Sequence, residues 1–231
     1  EYHDVLAEIS HRYGVPPKYI VALWAIESDF GHNKGNFSVV QSLATLAYEG
    51  RRAEFFSKEL IAALHIMQKE NMRADALVGS WAGAMGDCQF MPSTYLKFAV
   101  DGNGDGHRDI WNAPPDVFAS IAHYLHALGW NKKVGWGRAV IVPQGFTPEM
   151  ADIQVGKTAT QWHEQGLRYG TEAENHPIPK GERVLYAMYP GSEEEGAYLV
   201  TENYKALLKW NRSRYFATAV GTLADAIGDK R

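Results

Sequence analysis

The sequence has little cysteine and no long apolar run. Cys88 is the single cysteine in 231 residues, so no disulfide can form within the chain. No stretch is apolar for long enough to cross a bilayer as a helix. The formal net charge of −4 argues against a nucleic-acid-binding protein. Neither an initiator Met nor a signal peptide opens the chain, so its compartment cannot be read from its first residues.

Several chemical signatures are also missing. The nine histidines are scattered, and none forms an HExxH motif or a Cys/His cluster of a zinc site. There is no GxSxG elbow of a serine hydrolase, no P-loop and no Rossmann fingerprint. These absences disfavour zinc hydrolases, serine hydrolases of that type and nucleotide-binding enzymes.

What is present is typical of a globular protein. Apolar residues make up 45% of the chain and aromatic residues 12%, which excludes an intrinsically disordered chain. The length fits one domain with a subdomain, or two small domains. Helical patterns dominate up to about residue 130, short β-like bursts follow to about residue 200, and helices resume at Asn203. An amphipathic helix is predicted over residues 57–71, with Leu60, Ile61, Leu64 and Met67 on its apolar side.

One apolar helix carries a lone carboxylate near its end. Pro17 suits a first helical turn, the next residues are almost entirely apolar, and Gly31 suits a helix end. Glu27 would lie in the last turn of this core helix, where partial desolvation should raise its pKa and keep it as a proton donor. The alternative is a solvated glutamate at a helix end. Asp29 is rotated by roughly 200° from Glu27 at 3.6 residues per turn, so the two do not form a carboxylate pair.

The stretch DGNGDGHRDIWN follows the spacing of an EF-hand loop. Asp101, Asn103, Asp105 and Asp109 occupy positions 1, 3, 5 and 9, and Gly106 and the carbonyl of His107 occupy positions 6 and 7. Position 12 is Asn112 where the standard loop has a bidentate Glu, and Asp116 is the candidate that completes the shell. We expect a structural calcium ion that stabilises the loop. The alternative is an Asp/Gly-rich surface turn, and Asp116 could instead cap the following helix.

A second unusual stretch is GSWAGAMGDCQFMPSTY, residues 79–95. Its small residues allow close backbone approach, as a groove for a bulky ligand requires, and Gln89 can donate and accept hydrogen bonds. A tight packing contact is the alternative. Aromatic residues are abundant and could line a carbohydrate site, although most must be core residues. The pair Arg51 and Arg52 could meet an anionic ligand group or could simply be solvated.

Taken in order, these motifs resemble the MltB family of lytic murein transglycosylases, which are bacterial peptidoglycan-cleaving enzymes. The resemblance rests on IESDFG after the apolar helix, SLATLAY, RRAEFF, GSWAGAMGDCQFMPSTY, DGNGDGHRDIW and HYLHALGW, and it resumes in AYLVTENYKALLKWNRSRYFATAVGTLADAI. It implies that Glu27 is the family's only catalytic acid. The residues that it implies for substrate binding are Ser80, Gln89, Phe90, Tyr124, Arg51, Arg52, Trp210 and Asn211. The residues that it implies for a calcium site are Asp101, Asn103, Asp105, His107 and Asp116, with one residue more before Asp116 than expected.

The resemblance also implies a fold and a setting. We expect a mainly α, α+β fold: a lysozyme-like catalytic core over 1–131 with the EF-hand-like loop at 101–116, a β-rich subdomain over 132–200, and a C-terminal helical segment over 201–231 that packs back on the core. The implied activity is cleavage of the β-1,4 bond between MurNAc and GlcNAc with formation of 1,6-anhydro ends. No cofactor is expected for catalysis.

The implied partners are peptidoglycan strands and other cell-wall proteins, and no nucleic acid. The implied location is the periplasm, in soluble form or as an outer-membrane lipoprotein whose lipid anchor lies outside this chain. A non-catalytic peptidoglycan-binding module remains the alternative, and a calcium-responsive protein is disfavoured by the lone loop.

Overall fold

The computed structural model describes residues 1–170 and 176–228. The chain forms two compact units, Glu1–Ala127 and Leu128–Arg231. The first unit is mostly helical and the second contains a sheet, so the prediction of an α+β fold is confirmed. The expected division at residues 131 and 200 is a finer one and stays a prediction.

The first unit consists of six helices and one short pair of strands. The helices are α1 (His3–Tyr13), α2 (Pro17–Ser28), α3 (Val39–Glu49), α4 (Ala53–Lys69), α5 (Pro92–Phe98) and α6 (Pro114–Ala127). The strands β1 (Phe37–Ser38) and β2 (Val78–Gly79) pair in antiparallel orientation.

Helix α2 has the apolar character that the sequence indicated. Pro16 is extended at its N-cap and Pro17 opens the first turn, where a missing N–H is no loss. Ile20 and Leu23 are fully buried. The helix ends at Ser28, before Gly31, because Asp29 and Phe30 both adopt left-handed backbone angles, with φ of 50° and 56°. Glu27 therefore lies in the last turn of α2.

Helix α4 departs from the sequence prediction. It begins at Ala53, four residues earlier than expected, and Ile61 and Leu64 of the predicted apolar stripe are exposed. Its buried residues are Glu59, Ala62, Ala63 and Ile66. The buried position of Glu59 explains the rotated face: its carboxylate accepts hydrogen bonds from the backbone N–H (2.8 Å) and the hydroxyl (2.6 Å) of Ser93 in the first turn of α5. A charged residue that caps another helix breaks the apolar pattern read from sequence.

The second unit is built on a six-stranded antiparallel sheet with strand order β4-β7-β8-β3-β5-β6. The strands are β3 (Gly137–Ile141), β4 (Lys157–Thr158), β5 (Arg168–Tyr169), β6 (His176–Pro177), β7 (Val184–Met188) and β8 (Ala197–Val200). The helices are α7 (Ala159–Glu164), α8 (Glu202–Trp210) and α9 (Arg214–Gly228). Helix α7 begins with a capping box between Thr158 and Gln161, and its Trp162 fills the apolar core against the sheet.

Candidate active site

The candidate acid Glu27 is half-buried at the end of α2, and the loop that follows it is held tightly. The Ser28 hydroxyl donates to the carbonyl oxygen of Trp24 (3.2 Å) and accepts from the N–H of Gly31 (3.1 Å). The carbonyl of Ser28 accepts from the N–H of Asn33 at 2.8 Å. The helix end that presents Glu27 is therefore fixed by local hydrogen bonds.

Residues 79–90 form a compact backbone turn, which we call the Gln89 turn. Gly79 bridges to Met85, and Met85 bridges to Phe90. Ser80 closes the turn at its base, because its Oγ accepts from the N–H of Ala84 (3.0 Å) and its own N–H donates to the Ala84 carbonyl (2.7 Å). The small residues are explained by close packing of backbone on backbone, since a Cβ on Gly79 would lie 2.2 Å from the Ala84 carbonyl oxygen.

Gln89 connects this turn to the loop after Glu27. Its Nε2 donates to the carbonyl oxygens of Gly86 (2.9 Å) and Lys34 (3.2 Å), and its backbone has a left-handed φ of 49°. Within the part of the chain that the structure describes, Gln89 Oε1 accepts no hydrogen bond, so it can accept one from a ligand. The same loop meets the turn at Gly35, where a Cβ would lie 2.2 Å from the Gly79 carbonyl oxygen.

Asp87 also lies in the candidate active site, although the sequence did not indicate it. It is buried, with 5% of its surface exposed, and its Oδ2 accepts a hydrogen bond from Trp24 Nε1 at 2.9 Å. Its Oδ1 lies 3.3 Å from Lys34 Nζ. The neighbouring thiol of Cys88 is fully buried, and burial together with the charges of Asp87, Glu27 and Asp116 raises its pKa. Asp87 therefore connects α2 and the loop after it to the turn that carries Gln89.

The other expected groove residues of the first unit are in varied environments. Phe90 is buried and packs edge-to-face on the half-buried Tyr124, with ring centroids 5.5 Å apart. Burial raises the pKa of the Tyr124 hydroxyl. Arg51 and Arg52 are exposed at the start of α4, and the Arg52 guanidinium lies 4.2 Å from the ring centroid of Phe55.

Trp210 and Asn211 belong to the second unit. Trp210 is half-buried at the end of α8. Asn211 is exposed, and its Oδ1 accepts from the N–H of Ser213 at 3.0 Å. Their expected role in substrate binding stays a prediction.

The EF-hand-like loop is closed by hydrogen bonds to its own carboxylates. Asp101 accepts from the N–H groups of Gly104 (2.6 Å), Asp105 (3.2 Å) and Gly106 (2.8 Å), and these bonds lower the pKa of its carboxyl, that from Gly106 most. Asp105 accepts from the side chain of Asn103 (3.0 Å) and from the N–H of His107 (2.8 Å).

Asp116 does not cap helix α6, so that expectation was wrong. The helix begins two residues earlier, at Pro114. The fully buried carboxylate of Asp116 accepts from the N–H groups of Gly102 (2.9 Å), Asn103 (3.3 Å) and Asp109 (2.7 Å). It therefore ties the start of the loop to its end.

The donor chemistry of the loop fits calcium. Carboxylate, amide and backbone carbonyl oxygens are the ligands that Ca²⁺ prefers. Asn103 and Asp105 offer side-chain oxygens from exposed positions and Asp101 from a half-buried one. Over residues 1–170 and 176–228, no cluster of three or more His, Cys, Asp or Glu side chains forms a metal site in the conformation described.

The chain is similar to known proteins over nearly its whole length. The sequence matches the family described as "Transglycosylase SLT domain" over residues 1–225. It is 34% identical to membrane-bound lytic murein transglycosylase B of Escherichia coli K12, over 98% of this chain and 61% of that protein. The chain belongs to the MltB family of lytic transglycosylases. The predicted resemblance is therefore confirmed.

Solved structures of MltB-family proteins have the same fold as this chain. SltB3 of Pseudomonas aeruginosa, in complex with NAG-anhNAM-pentapeptide, is 42% identical, with a TM-score of 0.92 over 99% of this chain and 60% of SltB3. Slt35 of Escherichia coli, in complex with calcium, is 32% identical, with a TM-score of 0.81 over 98% of this chain and 70% of Slt35. The chain thus spans about 60% of the length of SltB3 and of transglycosylase B.

In the described ranges, no helix is both long enough and apolar enough to span a bilayer.

Proposed function

We propose that this chain is a lytic transglycosylase that cleaves the β-1,4 bond between MurNAc and GlcNAc in peptidoglycan and leaves 1,6-anhydro-MurNAc ends. Membership of the MltB family and the fragment bound to SltB3 support the substrate class. The observation that carries the proposal is the placement of Glu27. It lies in the last turn of α2, and the loop that follows it is joined to the Gln89 turn through the Lys34 carbonyl.

In the first step, protonated Glu27 donates its proton to the glycosidic oxygen. The bond from C1 of MurNAc to that oxygen breaks, and GlcNAc leaves with a free hydroxyl. The sugar's own N-acetyl group stabilises the oxocarbenium-like centre at C1. A half-buried carboxyl suits this role, because desolvation favours the protonated form.

In the second step, the Glu27 carboxylate takes the proton from the C6 hydroxyl of the same sugar. The C6 oxygen then bonds to C1 and closes the 1,6-anhydro ring. Glu27 returns to its protonated state, and no water is consumed. General acid–base catalysis of this kind contributes about 10²- to 10⁴-fold to the rate.

A hydrolase would need a second carboxylate placed about 5–9.5 Å from the first. The carboxylates nearest to Glu27 in sequence and in the Gln89 turn do not suit that role. Asp29 is exposed at the helix end, and Asp87 is buried, paired with Lys34 and bonded to Trp24. This supports anhydro-ring closure over hydrolysis.

The remaining residues are proposed to hold the glycan. Gln89 Oε1 and the Ser80 hydroxyl are the polar groups suited to the N-acetyl group or to the acid. Tyr124, supported from behind by Phe90, offers a hydroxyl. Arg51 and Arg52 suit the carboxylates of the muramic acid or its peptide. Trp210 and Asn211, which belong to the second unit, are proposed as further substrate-binding residues.

We also propose a structural calcium ion, which takes no part in the chemistry. Its ligands would be the side-chain oxygens of Asp101, Asn103 and Asp105 and the carbonyl of His107. Asp116 would hold the loop closed and could share an oxygen with the ion. The calcium complex of Slt35 supports this assignment.

The proposed substrate places the protein in the bacterial cell envelope. The names of the relatives describe one membrane-bound enzyme and one soluble enzyme. We propose the periplasm as the compartment, with the soluble and the lipid-anchored forms as alternatives. Proteins of cell-wall synthesis or hydrolysis are the proposed partners.

The test is digestion of purified peptidoglycan by the wild type and by Glu27→Gln. We expect the wild type to clear the turbidity of the suspension and the variant to lose at least a hundredfold in rate while still sedimenting with the glycan. Full activity of Glu27→Gln would exclude Glu27 as the acid. A wild type that binds without clearing would favour the alternative of a non-catalytic binding module.

A further inference from the structure

The segment that carries Glu27 is tied to the Gln89 turn at points on both sides of Glu27. Before it, Trp24 Nε1 donates to Asp87 Oδ2 at 2.9 Å. After it, Lys34 Nζ lies 3.3 Å from Asp87 Oδ1. Asp87 precedes Gln89 by two residues, so one carboxylate connects the helix, the loop and the turn.

Glycine makes room for this carboxylate. A Cβ on Gly31 would lie 2.5 Å from Asp87 Oδ2, so the loop passes directly over Asp87. Lys34 is anchored further by the carbonyl oxygen of Trp111, to which its Nζ donates. The Lys34 carbonyl in turn accepts from Gln89 Nε2. Lys34 thus binds the turn through both its side chain and its backbone.

The Asp87–Lys34 pair differs from a surface ion pair. The side chains are 7% and 29% exposed, whereas those of Glu54 and Lys58, an i,i+4 pair on α4, are 85% and 71% exposed. Exposed ion pairs contribute little to stability, because water and salt screen the attraction between the two charges. A buried charge pair holds its geometry, because breaking it leaves a charge without a partner in a poorly hydrated place.

We infer that Asp87 and Lys34 are positioning residues that set the geometry of Glu27 relative to Gln89 in the transition state. Neither residue is assigned contact with the glycan. Their loss should therefore lower kcat and leave KM nearly unchanged, because misplacement of a catalytic group by about 1 Å can cost about a hundredfold in rate. This inference rests on the proposed transglycosylase activity.

The variants are Asp87→Asn, Lys34→Met and the double variant. Asn keeps an oxygen for Trp24 but cannot pair with the ammonium of Lys34. Lys34→Met removes the ammonium and keeps an unbranched side chain, and it leaves the Asp87 carboxylate bonded to Trp24 Nε1. Lys58→Met is the matched control. Anhydro-muropeptide release is measured for kcat and KM at a temperature well below the melting transition, which is recorded for each variant.

We expect kcat to fall about tenfold to a hundredfold in each single variant, with KM within about twofold of the wild type. The double variant should lose little more than either single variant, because both remove the same pair. Lys58→Met should match the wild type.

Wild-type kcat in both single variants would overturn the inference. A rise in KM that accounts for the whole loss of kcat/KM would also overturn it, because it would show that the pair contacts the glycan. Such contact is conceivable because the pair lines a cavity of about 550 Å³ with Trp24 and Phe30. An equal loss in Lys58→Met would likewise overturn it. Absence of anhydro product from the wild type would refute the proposed function itself, and so is distinct from these outcomes.

Discussion

Gln89 Nε2 donates a hydrogen bond to the carbonyl oxygen of Lys34 across 3.2 Å, and these residues are 55 positions apart in the chain. The bond joins the loop after the catalytic helix to the turn that carries Gln89. It also fixes the orientation of the Gln89 amide, because Nε2 is shared between two carbonyl oxygens and Oε1 points elsewhere. The orientation of Oε1 is therefore a property of the fold, present before any ligand binds.

Gln89→Glu should destabilise the protein at neutral pH. A carboxylate oxygen would take the place of Nε2 and face the carbonyl oxygens of Gly86 and Lys34. Neither carbonyl would then receive a hydrogen bond from residue 89. We expect a loss of about 1–3 kcal/mol in the free energy of unfolding.

The loss in Gln89→Glu should shrink in acid. The introduced carboxyl would have a folded-state pKa above its unfolded-state pKa, so the penalty is complete above the folded-state pKa and is lost as pH falls from there to the unfolded-state pKa. The measurement is the difference in melting temperature from the wild type as a function of pH. The exposed Gln154→Glu serves as control, and a pH-independent difference in Gln89→Glu would contradict the account.

The sequence predicted the parts of the fold that depend on local pattern. The apolar run and the prolines located α2, and the oxygen-donor spacing located the loop from Asp101. What it could not show depends on contacts between distant segments. The face of α4 was misjudged because Glu59 reaches the start of α5. For Asp116 the sequence left two roles open, the loop and the cap of its own helix, and only the fold shows that its partners lie in the preceding loop.

The candidate site was predictable to a similar extent. Glu27 was proposed as the acid because a lone carboxylate ends an apolar helix; the structure places it in the last turn of α2, and its catalytic role stays a prediction. Asp87 was missed because an aspartate between glycine and cysteine is typical of a surface turn, and its partners Trp24 and Lys34 are more than 50 residues away. Only the fold brings the three together.

Cys88 should be inert in the native protein. Burial, with the negative charges of Asp87, Glu27 and Asp116, raises the pKa of its thiol, and the thiolate is the reactive form. We expect no labelling by a thiol-specific disulfide reagent at mildly alkaline pH and complete labelling in denaturant. Rapid labelling of the folded protein would show that the Gln89 turn opens.

Asp116→Ala should destabilise the first unit strongly. Three backbone N–H groups would lose their acceptor at a position with no exposed surface. We expect a loss of roughly 3 kcal/mol or more in denaturant unfolding, and a smaller loss for Asp116→Asn, which keeps one acceptor oxygen. Asp4→Ala, at a fully exposed position, is the control. Equal losses in Asp116→Ala and Asp4→Ala would disprove the loop-closing role.

Calcium should raise the melting temperature of the wild type and not of Asp101→Asn. Backbone N–H groups, that of Gly106 foremost, lower the pKa of the Asp101 carboxyl below its ordinary value of 3.8. The stabilisation from this carboxylate is present above pH 3.8 and is lost as pH falls through the lower folded-state pKa. The measurement is a melting curve with calcium or with chelator at several pH values. An equal calcium response in both proteins would exclude Asp101 as a ligand.

The most direct test of the proposed chemistry is digestion of peptidoglycan in water enriched in heavy oxygen, followed by mass spectrometry of the released muropeptides. A single acid that also acts as base, with closure by the C6 hydroxyl, predicts products lighter than hydrolytic ones by one water molecule and free of heavy oxygen. Reducing ends that carry the heavy isotope would contradict the account, because they require attack by water at C1.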